Sequence, residues 1–96
     1  MFWQIACDAL KAGLCLEVRH RERIEIVEVH AVGESAEGFI RMYAWQIYST
    51  KTGDQGRWRL FKLDPDGTYE LSVMRSLAPR PDYHRDARFP LVHCQV

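Results

Sequence analysis

From Leu14 to Val73 the chain alternates apolar and polar residues with the period of a β-strand, interrupted only by short polar turns. That pattern predicts sequential strands in an antiparallel meander. Leu14, Leu16 and Val18 alternate with Cys15, Glu17 and Arg19, and His20-Arg21-Glu22-Arg23 reads as a polar reversal. Ile24, Ile26, Val27, Val29 and Val32 then carry the β-branched density of a second strand, and the phase shift near Val27 predicts a bulge or bend. Gly33 to Gly38 reads as a turn, Phe39 to Thr50 as a long strand, residues 51–56 as an exposed loop, and Arg57 to Asp64 as a fourth strand. In Asp64-Pro65-Asp66-Gly67 the proline presets φ for a tight turn and the glycine tolerates its exit. Thr68 to Val73 alternates again and makes a fifth strand.

Both flanks of this meander differ from it. Trp3, Ile5, Ala6, Ala9 and Leu10 recur at helical spacing over residues 3–12, and Gly13 is a natural stop. So short a helix is marginal alone and must lie on something apolar. Pro79, Pro81 and Pro90 exclude a central strand in the last stretch, so Arg80-Pro81-Asp82-Tyr83 reads as an extended, semi-rigid arm, with Leu91 to Val96 able to return as a short edge strand. The arm, with four arginines and two aspartates in residues 75–90, is suited to closing over a ligand or a neighbouring subunit, or to wrapping along the barrel in solvent. A chain of 96 residues has room for one small domain, divided as a leading helix (1–13), a barrel (14–74) and a tail (75–96). The expected fold is therefore mainly β, α+β by content: an N-terminal helix followed by a five-stranded small barrel, whose closure removes exposed edges. An open sheet with the helix on one face is the alternative.

Composition excludes several functions. The formal net charge is zero, which rules out a bulk polyanion binder, but residues 1–40 carry a net −3 and residues 41–96 a net +3. Ten of the 13 basic residues are arginine, whose planar fork suits carboxylate, phosphate and aromatic partners. Cys7, Cys15 and Cys94 are an odd set with no close pair, so the expectation is no disulfide framework, buried inert thiols at Cys7 and Cys15, and a reducing compartment. The start, Met1-Phe2-Trp3-Gln4, does not read as a signal peptide and no stretch approaches the roughly 18 apolar residues of a membrane span, so with the cysteines the expectation is a cytoplasmic protein without a membrane partner. His20, His30, His84, His93 and the cysteines show no paired metal-ligand spacing; His93-Cys94 are adjacent and leave a strand on opposite sides. There is no nucleophile elbow, paired-carboxylate site or phosphate-cradling glycine loop, so the expectation is no catalytic residue, no metal and no cofactor.

The remaining signal is aromatic and basic. Arg41, Tyr43 and Trp45 share one face of the third strand, and Ile40, Met42 and Ala44 the other. In the fourth, Arg59, Phe61 and Leu63 share a face opposite Trp58, Leu60 and Lys62. Rings beside arginines can stack on bases, pack as core under the helix, or form a subunit interface.

Several segments together resemble the small stand-alone WYL-like domains of bacteria and phages. They are the helix end Lys11-Ala12-Gly13, Leu16-Glu17-Val18-Arg19, Val27-Glu28-Val29-His30-Ala31-Val32-Gly33, Ile40-Arg41-Met42-Tyr43-Ala44-Trp45-Gln46, Trp58-Arg59-Leu60-Phe61-Lys62-Leu63-Asp64 and the tail Pro79-Arg80-Pro81-Asp82-Tyr83. The Trp-Tyr-Leu tripeptide that names the family is absent, and Gly38-Phe39-Ile40-Arg41-Met42 stands near its place. The resemblance implies an Sm-like (Src-homology-type) barrel and a regulatory, ligand-sensing role, with Arg41, Arg59 and Lys62 facing the ligand and Tyr43, Trp45 and His30 beside them. The expected function is non-enzymatic recognition of a nucleotide or short single-stranded nucleic acid through these residues. The alternative is a homodimerisation or partner-protein module with no small ligand.

Overall fold

The computed structural model describes residues 1–85 and 89–96; Asp86 and Arg88, counted above among the charges of the tail, lie outside the described residues. Helix α1 (Gln4–Ala12) is followed by β1 (Leu14–His20), β2 (Arg23–Glu34), β3 (Ile40–Ser49), β4 (Arg57–Lys62), β5 (Thr68–Arg75) and β6 (Leu91–Gln95). Gly13 ends the helix in the left-handed region at φ +70°, which a glycine adopts without steric cost, and the chain enters β1 directly.

The strands form one antiparallel sheet of order β4-β3-β2-β1-β5, with β6 paired to β2 off this path. Two expectations change here. The described chain has six strands rather than five, and the sheet does not close: β4 and β5 are not paired with each other. The sixth strand arises because β2 outruns its neighbour. Pairing with β1 stops at Leu16↔Val27, which leaves the edge of β2 open from Ala31 to Glu34, and there β6 pairs through Ala31↔Gln95 and Val32↔Cys94. A free strand edge in mid-sheet is thereby covered. Gly33 makes this possible, because a Cβ there would lie 2.5 Å from the Leu91 carbonyl oxygen and 2.6 Å from Cγ of Phe89.

The bend expected near Val27 is present. Register shifts against β3 fall between Ile26 and Val27 and again between Val29 and Ala31. Each shift increases local twist. On the inner face, Leu16, Val18, Val27, Val29, Met42, Ala44, Phe61 and Leu63 pack with Ala6, Cys7 and Ala9 of α1. The small side chains of α1 let its backbone lie close to the sheet.

The cysteine expectation is overturned in part. Cys7 of α1 and Cys94 of β6 form a disulfide across 87 residues, with Cα atoms 5.8 Å apart. Spacing could not reveal it, since the two meet only once β6 returns beneath the helix. Cys15 is the free, buried thiol. Burial foremost, then the nearby Glu28 carboxylate, pushes its pKa up to about 11, so it is inert as expected. Among the described residues no helix is long and apolar enough to cross a membrane.

Candidate functional site

Strand alternation distributes the expected site residues over two faces. Cross-strand pairs Trp45↔Trp58 and Tyr43↔Leu60 place Tyr43, Trp45 and Trp58 on the outer face of the sheet. The pair Ala44↔Arg59 places Arg59 with the inner residues. The single surface combining Arg59 with Tyr43 and Trp45 is therefore not formed: adjacent positions of a strand leave on opposite sides, and the arginine shares its side with Phe61.

The outer face is an aromatic cluster beneath the tail. Tyr43 stacks parallel on Trp58 with centroids 4.8 Å apart, and Trp45 and His30 meet Trp58 edge-on at 5.2 and 4.7 Å. Residues 76–85 cross this cluster as a strap, and Arg80 to Tyr83 is not the extended arm expected but a turn, in which the Tyr83 amide donates to the Arg80 carbonyl at 3.0 Å and Pro81 presets φ. The Arg80 guanidinium lies 5.2 Å over Trp45, and its Nε donates to Oε1 of Glu28 at 2.6 Å. The Leu77 amide donates to the other Glu28 oxygen at 2.6 Å. The Trp58 indole donates to Asp82 at 2.7 Å, Gln95 donates to the Tyr83 hydroxyl at 3.1 Å, and the Tyr83 ring lies 4.9 Å from His30. Glu28 and His30 both have 0% exposure. Nδ1 of His30 lies 2.9 Å from the Glu28 carbonyl oxygen, to which it must donate, so Nε2 is the acceptor for the Arg80 amide at 3.0 Å. Both ring nitrogens are thus satisfied by a neutral imidazole, and burial is the main cause holding its pKa below the ordinary value. Tyr43, Trp45 and His30 are consequently occupied by the protein's own tail, and of the two expectations for the arm, it is a wrap that closes over a protein surface.

Arg41 and Lys62 are directly opposed in the β3–β4 ladder and flank one ring. The Lys62 ammonium lies 4.2 Å from the Phe39 centroid and the Arg41 guanidinium 5.9 Å from it. The ring offers its negative face to two like charges that would otherwise repel.

Lys62 also borders a groove of about 700 Å³ on the inner side, between β4 and the β1–β2 turn, with Tyr69 of β5 at its edge. Arg59 sits in this groove, its Nη1 donating to Glu25 at 2.9 Å and to Gln46 at 2.7 Å, with its guanidinium 4.5 Å from the Phe61 centroid. The other lining cations are Arg21, Arg23 and Lys51, and none of the three forms an ion pair among the described residues. Four cationic residues, Arg21, Arg23, Lys51 and Arg59, and three carboxylates, Glu22, Glu25 and Asp64, line the groove, a net of +1 with His20 neutral, while the Lys62 ammonium lies over the Phe39 ring. Arg21 occupies the first position of the two-residue turn closed by His20↔Arg23 and has φ +59°. Such a turn favours glycine there, so the arginine is held at a steric cost. Tyr69 presents only its ring, because its hydroxyl is tied to both the carbonyl and the amide of Asp64 at 3.0 Å.

Arg21, Arg23 and Lys51 were missed because charged residues in a hairpin turn and loop read as solvation. The one available signal was a β-hairpin turn without glycine or asparagine. The described residues hold no cluster of three metal-ligating side chains. Comparison with known protein families, curated proteins and solved structures returned no match.

Proposed function

We infer that the protein is a non-enzymatic regulatory module that binds a nucleotide or a short single-stranded nucleic acid in the inner groove, rather than on the aromatic face. The carrying observation is a 700 Å³ groove whose mouth concentrates Arg21, Arg23 and Lys51 in a chain of zero net charge. Cations that form no ion pair among the described residues raise the local potential and attract phosphate. Arg59, already oriented by Glu25 and Gln46, can point its remaining guanidinium N–H groups at an acceptor without losing rotamer freedom. Lys62 lines the rim of this site with its ammonium over Phe39, and Arg41, Tyr43, Trp45 and His30 do not line it. The Tyr69 ring is the groove's candidate base platform. The helix, the strand order β5-β1-β2-β3-β4 and the bent β2 support the Sm-like, WYL-like reading of the fold, with β4 and β5 as its two unpaired edges.

Titration with labelled single-stranded oligonucleotides at 50 and 200 mM salt tests the proposal. Engaging about three phosphates predicts roughly a twentyfold loss of affinity over that range. Absence of binding at 50 mM, or binding that Arg23→Ala and Lys51→Ala leave unchanged, rejects it. A cytoplasmic location is part of the same proposal and sets its own condition: the Cys7–Cys94 pair must survive or be dispensable in a reducing milieu. Counting alkylatable thiols in freshly lysed cells shows which.

One observation favours a second reading, a protein-interaction module. The unpaired edge strand β5 exposes Leu71, Val73 and Met74, with Leu77 nearby, and Val73 is 99% exposed. If this edge is an interface, light scattering will show a dimer that Val73→Asp dissociates.

A further inference from the structure

The outer face is organised around a segment that the sheet itself does not supply. Glu28 lies wholly buried in β2, and both its oxygens are used by strap groups, the Leu77 amide and Arg80 Nε. The outward-directed nitrogen of His30 accepts from a strap amide, the Trp58 indole donates to strap Asp82, and Trp45 receives the Arg80 guanidinium on its face. A carboxylate, an imidazole acceptor, an indole N–H and an open indole face thus converge on one strap of Leu77-Ala78-Pro79-Arg80-Pro81-Asp82-Tyr83. These groups are what a guanidinium-bearing peptide with a proline-set turn requires. The buried carboxylate repels phosphate and selects a cation, and a planar guanidinium can at once stack on Trp45 and bond to Glu28, which an ammonium does poorly. Prolines on both sides of Arg80 restrict a segment that bends at Pro79 and turns from Arg80 to Tyr83, and so lower the entropy lost on docking.

We propose that this face is a peptide-recognition site for a proline-flanked, arginine-bearing segment of a partner protein, and that the chain's own strap occupies it as an internal surrogate. The proposal is independent of nucleotide binding in the inner groove. The covalent tether gives the strap a high effective concentration, so an external segment competes only when the strap is weakened or withdrawn.

The test uses the full chain and a fluorescent peptide spanning residues 75–85. Arg80→Ala empties the guanidinium position and leaves Glu28 in place. That variant is expected to bind the peptide at least tenfold more tightly than wild type does, with a change in tryptophan emission, because Trp45 and Trp58 lie at the site. A peptide carrying alanine in place of Arg80 should bind at least tenfold more weakly. Adding Glu28→Gln to the Arg80→Ala protein should abolish the difference between the peptides. If Arg80→Ala does not fold alone, Arg80→Lys keeps a cation beside Glu28 while giving up the planar stack, and the same tenfold preference for the arginine peptide over its alanine form is expected. Equal responses to the two peptides in a folded variant, or arginine-dependent binding that survives Glu28→Gln, would overturn the proposal. A peptide-free dimer of Arg80→Ala in sedimentation would overturn it in favour of strap exchange between two copies.

Discussion

Glu25 and Glu28 lie three residues apart on β2, both are buried, and each is met by one arginine. The two pairs nevertheless serve opposite ends. Arg59 reaches Glu25 from β4, within the sheet, and leaves the pair beside an open groove. Arg80 reaches Glu28 from the tail, and its arrival closes the outer face over His30 and two tryptophans. One chemical device thus presents a guanidinium on the inner face and seals a surface on the outer. What distinguishes them is the origin of the arginine: a neighbouring strand orients it for use, whereas a returning segment consumes it.

The comparison is most severely tested at its closed end. Arg80→Ala strands a fully buried carboxylate, and denaturant titration should show a loss of about 4 kcal/mol. Arg59→Ala should cost less, about 2 kcal/mol, because Glu25 lines an open groove and keeps some exposure, whereas Glu28 keeps none. Equal losses would mean that the two faces are not different in kind. The pH dependence comes next. His30 is buried against Glu28, Arg80 and Asp82, and its folded pKa lies below the ordinary value of about 6.5. Below pH 6.5 the unfolded chain therefore binds a proton that the folded chain refuses. Stability should fall on acidification by up to about 1.4 kcal/mol per pH unit until the folded pKa is reached. Chemical denaturation between pH 7.5 and 5 should show this slope, reduced in His30→Gln. The smallest effect belongs to the open side. Arg21→Gly relieves a positive φ and should leave stability unchanged or raise it by about 1 kcal/mol, while weakening oligonucleotide binding. Binding that survives this change would remove the turn from the groove's function.

Much of this was legible from period alone. Met42 and Ala44 go inward and Tyr43 and Trp45 outward as the alternation of β3 requires, and Phe61 of β4 and Leu63 just after it are buried together. Gly13, the bend near Val27 and the turn at Asp64 to Gly67 follow from local sterics. The same alternation placed Arg59 away from Tyr43 and Trp45, and grouping the three by chemistry instead of by face was the error. Glu28 was not legible: an acidic residue on the polar side of a strand reads as solvated, and only the strap removes it from water.

The sequence by itself determined the strands, the faces each side chain leaves by, and the confinement of proline to the Asp64–Gly67 turn and the tail, because these depend on neighbours a few residues away. Tertiary structure decided what each face meets. The Glu25–Arg59, Glu28–Arg80 and Cys7–Cys94 contacts join residues 34, 52 and 87 positions apart. A strand's period states the direction of a side chain and is silent about what a distant segment will lay over it.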